Sequence, residues 1–242
     1  MSADEVIEVA LARFAATMSH DAVIYDEMHG PLYIVGEDYE SSRLLVPGWL
    51  ASFRGKVEGA PIAIVPHRSK LMVGGSARPE MITRLLEIAE REFSASPRSI
   101  SVALYSVDEL DHVVPFISDD LAVRLAHEKL ALFEYGQQKD VLDEKQSELF
   151  VATYSVFSDS EGGVRSSACW TRAVETLLPK TEWLSLVTPN ADQTAAAEIL
   201  HVPWDAVAHR LTPAQGFHPP RFRTGEFPDE TELAALRVKH AK

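Results

Sequence analysis

Cysteine is almost missing from this sequence: Cys169 is the one among 242 residues. That excludes an internal disulfide and any cysteine-based zinc cluster. Long apolar runs are missing too. No segment approaches the ~20 residues that a membrane-spanning helix needs. The first turn carries Asp4, Glu5 and Glu8 where a secretory leader carries Lys or Arg, so the expected compartment is the cytoplasm and no membrane partner is expected. Basic residues are in short supply, 23 against 36 acidic, for a net charge of −13. Such a balance argues against nonspecific nucleic-acid binding, which depends on neutralising phosphates with Lys and Arg. There is no internal repeat of fixed period, no low-complexity linker, and no glycine pattern of the dinucleotide-binding or P-loop kind.

What is present reads as globular. With 46% hydrophobic and 24% charged residues, the composition is that of an ordinary folded chain, long enough for one large domain or two small ones. The charge is unevenly spread. Residues 1–40 hold one basic and nine acidic groups, net −8, whereas residues 41–98 hold nine basic and five acidic, net +4.

The pattern predicts an α+β fold of antiparallel β-hairpins with packed helices in two lobes, 1–117 and 118–242. Ser2 and Glu5 form a capping box that opens a helix reaching Met18. Short strands follow at 22–25 and 32–35, then a partly helical stretch at 40–54 that Pro47-Gly48 interrupts. The apolar runs Pro61–Val65 and Lys70–Val73 flank a four-residue turn and can pair only as a hairpin. Gly74-Gly75-Ser76 reads as the break after that hairpin, with a helix from Pro79 whose buried stripe is Ile82, Leu85, Leu86, Ala89 and Phe93. Strands are expected at 100–107 and 112–116. The second lobe reads as a long helix over 119–145 that Gly136 could split, strands at 149–157, 164–171 and 183–187, and a helix-prone segment at 191–200. A short helix opens at Pro203, the tract 212–228 reads as irregular, and a last helix starts near Glu230.

The segment Gly59-Ala60-Pro61-Ile62-Ala63-Ile64-Val65-Pro66-His67-Arg68-Ser69-Lys70-Leu71-Met72-Val73 resembles the C-terminal region of the bacterial YtpQ family, in which an apolar strand ending in Val-Pro-His is followed by a polar turn and a second apolar strand. Ser42-Arg43-Leu44-Leu45, Ser99–Ser106 and Pro115-Phe116 extend the likeness over about residues 25–117. The resemblance implies an α+β lobe and a bacterial cytoplasmic protein. It supplies no activity and no catalytic residue.

Each chemically suggestive group has a plainer reading. Cys169 lies inside a strand pattern without a catalytic signature and reads as a buried structural cysteine. His201, Asp205 and His209 are four apart, but Pro203 breaks the helix that would align them on a metal. Gly74-Gly75-Ser76 could cradle an anion ahead of a helix, and reads better as a plain turn. Asp26, Glu27 and His29 read as exposed turn residues, and the four tryptophans as packing groups. No catalytic set, metal or cofactor is therefore expected. The candidate binding residues are Arg54, Lys56, His67, Arg68, Lys70 and Arg78, which would make a cationic patch for another protein or for an acidic or phosphorylated ligand. The function expected is non-enzymatic macromolecule binding. Rival readings are a small-molecule enzyme with an interlobe cleft and an immunity protein that neutralises a basic toxin.

Overall fold

The computed structural model describes residues 2–18, 23–26, 30–35, 39–145, 149–158, 163–190 and 196–240. It is an α+β protein that divides into two compact units, Met1–Leu130 and Ala131–Lys242. The sequence places the division at 118; here it falls inside a continuous helix.

In the first unit, helix α1 (Ala3–Thr17) begins at the expected capping box: the Glu5 amide donates to Ser2 Oγ at 3.2 Å and the Ser2 amide to Glu5 Oε2 at 2.6 Å. Strands β1 (Val23–Asp26) and β2 (Leu32–Val35) pair antiparallel. Two 3-10 segments, Glu40–Leu45 and Leu50–Phe53, stand on either side of Pro47-Gly48. The hairpin of β3 (Pro61–His67) and β4 (Lys70–Gly75) is the centre of the sheet, with its register shifting between Ile64 and His67. Helix α2 (Pro79–Ala95), β5 (Leu104–Val107) and β6 (Val113–Pro115) complete an antiparallel sheet of order β1-β2-β4-β3-β5-β6.

The unbroken apolar run of β3 reflects burial on both faces, since a half-solvated strand would alternate. Ile62 and Ile64 meet α2 through Met81, Ile82, Leu85, Ile88 and Ala89. Ala63 and Val65 face the other way, onto Leu44, Leu50 and Phe53 of the 3-10 segments. Leu86 and Phe93, expected in the buried stripe of α2, are half-buried; Met81 and Ile88 take the deeper places. Segment 100–103 does not join a strand, although Val102 and Ala103 are buried.

Gly74 and Gly75 do not break the strand but are its last two residues, paired with Ile62 and Pro61, and the turn before the helix comes after them, at Ser76 and Ala77. Both positions take glycine because of close approach: a Cβ on Gly75 would stand 2.2 Å from the Glu58 carbonyl oxygen, and one on Gly74 2.8 Å from Met81 Cγ.

Helix α3 (Leu121–Glu144) runs through Gly136 unbroken. Leu121, Leu125, Leu132 and Phe133 are exposed, while Val123 joins the first core and Tyr135 is buried in the second unit.

The second unit holds two four-stranded sheets, β13-β14-β10-β7 and β12-β11-β9-β8. The run at 149–157 divides between them as β7 (Phe150–Val151) and β8 (Ser155–Ser158). Strand β9 (Val164–Thr171) returns from β8, and β10 (Thr176–Pro179) pairs parallel with β7. β11 (Trp183–Thr188) lies parallel to β9 and antiparallel to β12 (Glu198–Pro203), so the helix expected at 191–200 is a strand over its described end. Pro203 does open a short helix, α4 (Trp204–Val207). The tract expected to be irregular forms a hairpin of β13 (Leu211–Ala214) and β14 (Arg221–Thr224), and helix α5 (Glu230–His240) closes the chain. Ala168, Trp170, Leu184, Leu186, Trp204 and Leu233 lie at the heart of the second core.

Candidate functional site: an apolar groove on the first unit

The 3-10 segment over 40–45 is tied to the hairpin turn, because the Ser41 amide donates to the Arg68 carbonyl at 3.3 Å. From the other side, the amides of Ile100 and Ser101 donate to the carbonyls of Pro66 and Val65 at 2.9 and 3.0 Å. Tyr105 on β5 donates its hydroxyl to Ser101 Oγ at 2.9 Å, fixing its ring beside Val65. These ties leave a groove of about 640 Å3 between the 3-10 segment and the β5–β6 edge of the sheet. Leu44, Leu45, Val46, Val65, Ile100 and Val113 form most of its wall. The volume is in the ~300–1,000 Å3 range of ligand-sized pockets. On that wall Leu45 is 62% exposed and Ile100 43%. A contiguous apolar surface of this kind, bordered by polar groups, marks a place where another molecule binds.

The far rim is the turn between β5 and β6. Asp108 Oδ1 accepts from the amides of Leu110 and His112 at 2.8 and 2.9 Å. Those amide bonds, led by that from His112, hold its carboxyl below the usual carboxylate range. Arg54 pairs with Asp111 and donates through Nη2 to the Asp108 carbonyl at 2.7 Å.

The six cationic candidates do not gather in one patch. Arg54 is spent on the β5–β6 turn just described. Lys56 lies 5.4 Å over the Phe53 ring, and with Arg78 it borders a pocket of about 260 Å3 beside Gly74 and Gly75. Arg78 stands 3.4 Å from Glu58 in that same pocket. At the hairpin turn, Lys70 pairs with Glu92 at 2.9 Å and His67 stands 3.7 Å from the same carboxylate. The bond from Lys70 lowers the Glu92 pKa. Arg68 is exposed, as is Arg98 two residues before Ile100, and neither has an ion-pair partner among the described residues. The backbone ties of Ser41 to Arg68 and of Ile100 to Pro66 put these two arginines next to the Ser41 and Ile100 walls of the groove. Sequence reasoning found Arg68 and missed Leu45, Ile100 and Arg98, because nothing in the local pattern separates buried Leu44 from exposed Leu45.

The other chemically suggestive residues fall elsewhere. Cys169 is exposed, not buried, because strand alternation sends Ala168 and Trp170 into the core and the thiol outward. It stands opposite Ser185, which stands opposite His201 across β9, β11 and β12. Ser185 Oγ is 3.0 Å from His201 Nδ1 and 3.1 Å from Ser167 Oγ. The row lies mid-sheet, where β11 is paired on both edges, so its backbone amides are not free to serve as oxyanion donors. His201, Asp205 and His209 lie on β12, α4 and a following 3-10 turn, and among the described residues no three His, Cys, Asp or Glu side chains form a ligand set. Glu27 and His29 lie outside the described residues. Trp170 and Trp204 are core residues, and Trp49 packs on the first core.

No family model, no curated protein and no solved structure matches the chain. No helix among the described residues is long and apolar enough to cross a membrane. What fold and groove define together is an α+β protein with an open apolar recess, near which two arginines have no ion-pair partner among the described residues.

Proposed function

We propose that this chain is a non-enzymatic, cytoplasmic macromolecule-binding or accessory protein, related over residues 25–117 to the YtpQ family. Its first unit receives an apolar protein segment that also carries acidic residues. The observation behind this reading is the groove, with exposed Leu45 and Ile100 on its wall and, next in the chain to its Ser41 and Ile100 walls, Arg68 and Arg98 without an ion-pair partner among the described residues. Apolar contact supplies the affinity, and the arginines supply orientation and rate of encounter. The test is a titration of the full chain with a labelled amphipathic acidic peptide and with its charge-reversed counterpart. Only the acidic form should bind, and Leu45→Glu should weaken it about tenfold or more. Equal binding of both peptides, or none, contradicts the reading.

One observation supports the enzyme reading, and it lies in the second unit. Glu134 is half-buried beside Gln138, Lys145 and His218 in a pocket of about 500 Å3, and burial raises its pKa. A half-buried carboxyl with a raised pKa in the same pocket as a histidine suits proton transfer. If a small-molecule turnover were found, Glu134→Gln should abolish it without unfolding the chain.

A further inference from the structure

Helix α1 carries the surface that such a groove takes. In the first half of α1 an apolar strip is open to solvent: Val6 is 47% exposed, Ile7 56% and Val9 45%. Asp4, Glu5 and Glu8 lie in the same two turns, with Arg13 the helix's only basic residue. α1 does not fill the groove of its own copy, since none of its residues lines it. Its 15 residues span about 22 Å at 1.5 Å per residue, long enough to lay two apolar turns into the recess and bring Glu8 toward Arg68 and Arg98. The charge agrees: α1 carries three acidic groups against one basic, net −2, and residues 41–98 are net +4.

We infer that the groove of one copy is occupied by helix α1 of a second copy of this chain, and the reverse, giving a dimer with two reciprocal helix-in-groove contacts. This rests on the groove reading above and names the partner. The arrangement is isologous, so each copy gives a helix and takes one. Two contacts share a single loss of translational and rotational freedom, which strengthens an otherwise small interface. Any other ligand of the groove must compete with α1, so occupancy by a foreign partner and dimerisation exclude each other.

Sedimentation of the full chain between about 1 and 100 μM, the range over which modest affinities become visible, tests this with two variants. Leu45→Glu/Ile100→Glu spoils the groove and keeps α1; Val6→Glu/Val9→Glu spoils α1 and keeps the groove. All four positions are solvent-exposed, so both variants should fold, and circular dichroism checks that. The wild type should dimerise, each variant alone should be about tenfold or more weaker, and an equimolar mixture should regain a weaker heterodimer through its one intact contact. Dimers that survive in both variants, or a mixture no stronger than its components, overturn the inference. A monomeric wild type also overturns it, whether or not its α1 amides are protected from exchange. In that case the peptide titration separates the two claims: binding of the acidic peptide keeps the groove reading, and no binding removes both.

Discussion

Arg221 is fully buried with no carboxylate within hydrogen-bonding reach among the described residues, and carbonyl oxygens take the place of an anion. Its Nε donates to Gln138 Oε1 at 2.8 Å, Nη2 to the Tyr135 carbonyl at 3.0 Å, and Nη1 to the carbonyls of Ala152 and Leu177 at 3.2 and 3.3 Å. One planar fork thus ties α3, β14, β10 and the segment after β7. Arg221→Met would leave those acceptors without donors, at a cost of about 3 kcal/mol or more, read as a lower urea midpoint. Arg221→Lys should recover little of it, because an ammonium cannot reproduce the fork. Asp108 gives a pH prediction at the same scale. Its folded-state pKa lies below the unfolded value, so its contribution is present above the unfolded value and is lost as pH falls through the folded one. Asp108→Ala should lower the Tm at neutral pH, and the gap to wild type should close below the usual carboxylate range.

Elements with strong local signals were legible, and those set by distant neighbours were not. The capping box of α1, the hairpin of β3 and β4, and Pro79 at the start of α2 each carry their cause within a few residues, and all three form as the pattern predicts. The strand at Glu198–Pro203 escaped notice because its alanine-rich approach favours a helix, while pairing with β11 fixes the outcome. The hairpin of β13 and β14 was hidden by the prolines and glycines around it. Its structural reasons, such as burial of Arg221 and of Thr224, whose hydroxyl takes the Thr176 amide at 2.9 Å, lie far away in the chain. The groove was illegible for the same reason. It is built from 41–47, 65, 100–105 and 111–115, and only the fold adds them together. Two glycines test this division. Gly136→Ala lies in an uninterrupted helix with nothing within 4 Å of the new Cβ, and should stabilise by about 0.5–1 kcal/mol. Gly75→Ala drives a methyl into the Glu58 carbonyl and should cost about 2–3 kcal/mol. Thermal or urea unfolding of the two variants reads both signs.

At the scale of the whole molecule, acidity and recognition are compatible because the charge is divided by region. Lys70 and Arg78 are engaged with Glu92 and Glu58, and Arg54 with Asp111, while Arg68 and Arg98 lie near an apolar recess. Exposed ion pairs of that kind contribute only ~0–1 kcal/mol each. Their consequence here is that Arg54, Lys70 and Arg78 are neutralised, while Arg68 and Arg98 have no ion-pair partner among the described residues. Arg68→Glu/Arg98→Glu should therefore leave stability nearly unchanged yet abolish the preference for acidic ligands, and added salt should weaken wild-type binding in the same direction. The most direct measurement is amide hydrogen exchange of the full chain, diluted until it sediments as a monomer, with and without a saturating acidic amphipathic peptide. The account predicts new protection at 41–47, 100–105 and 111–115 and none in the second unit. Protection confined to the second unit, or unchanged exchange in those three segments, would contradict it.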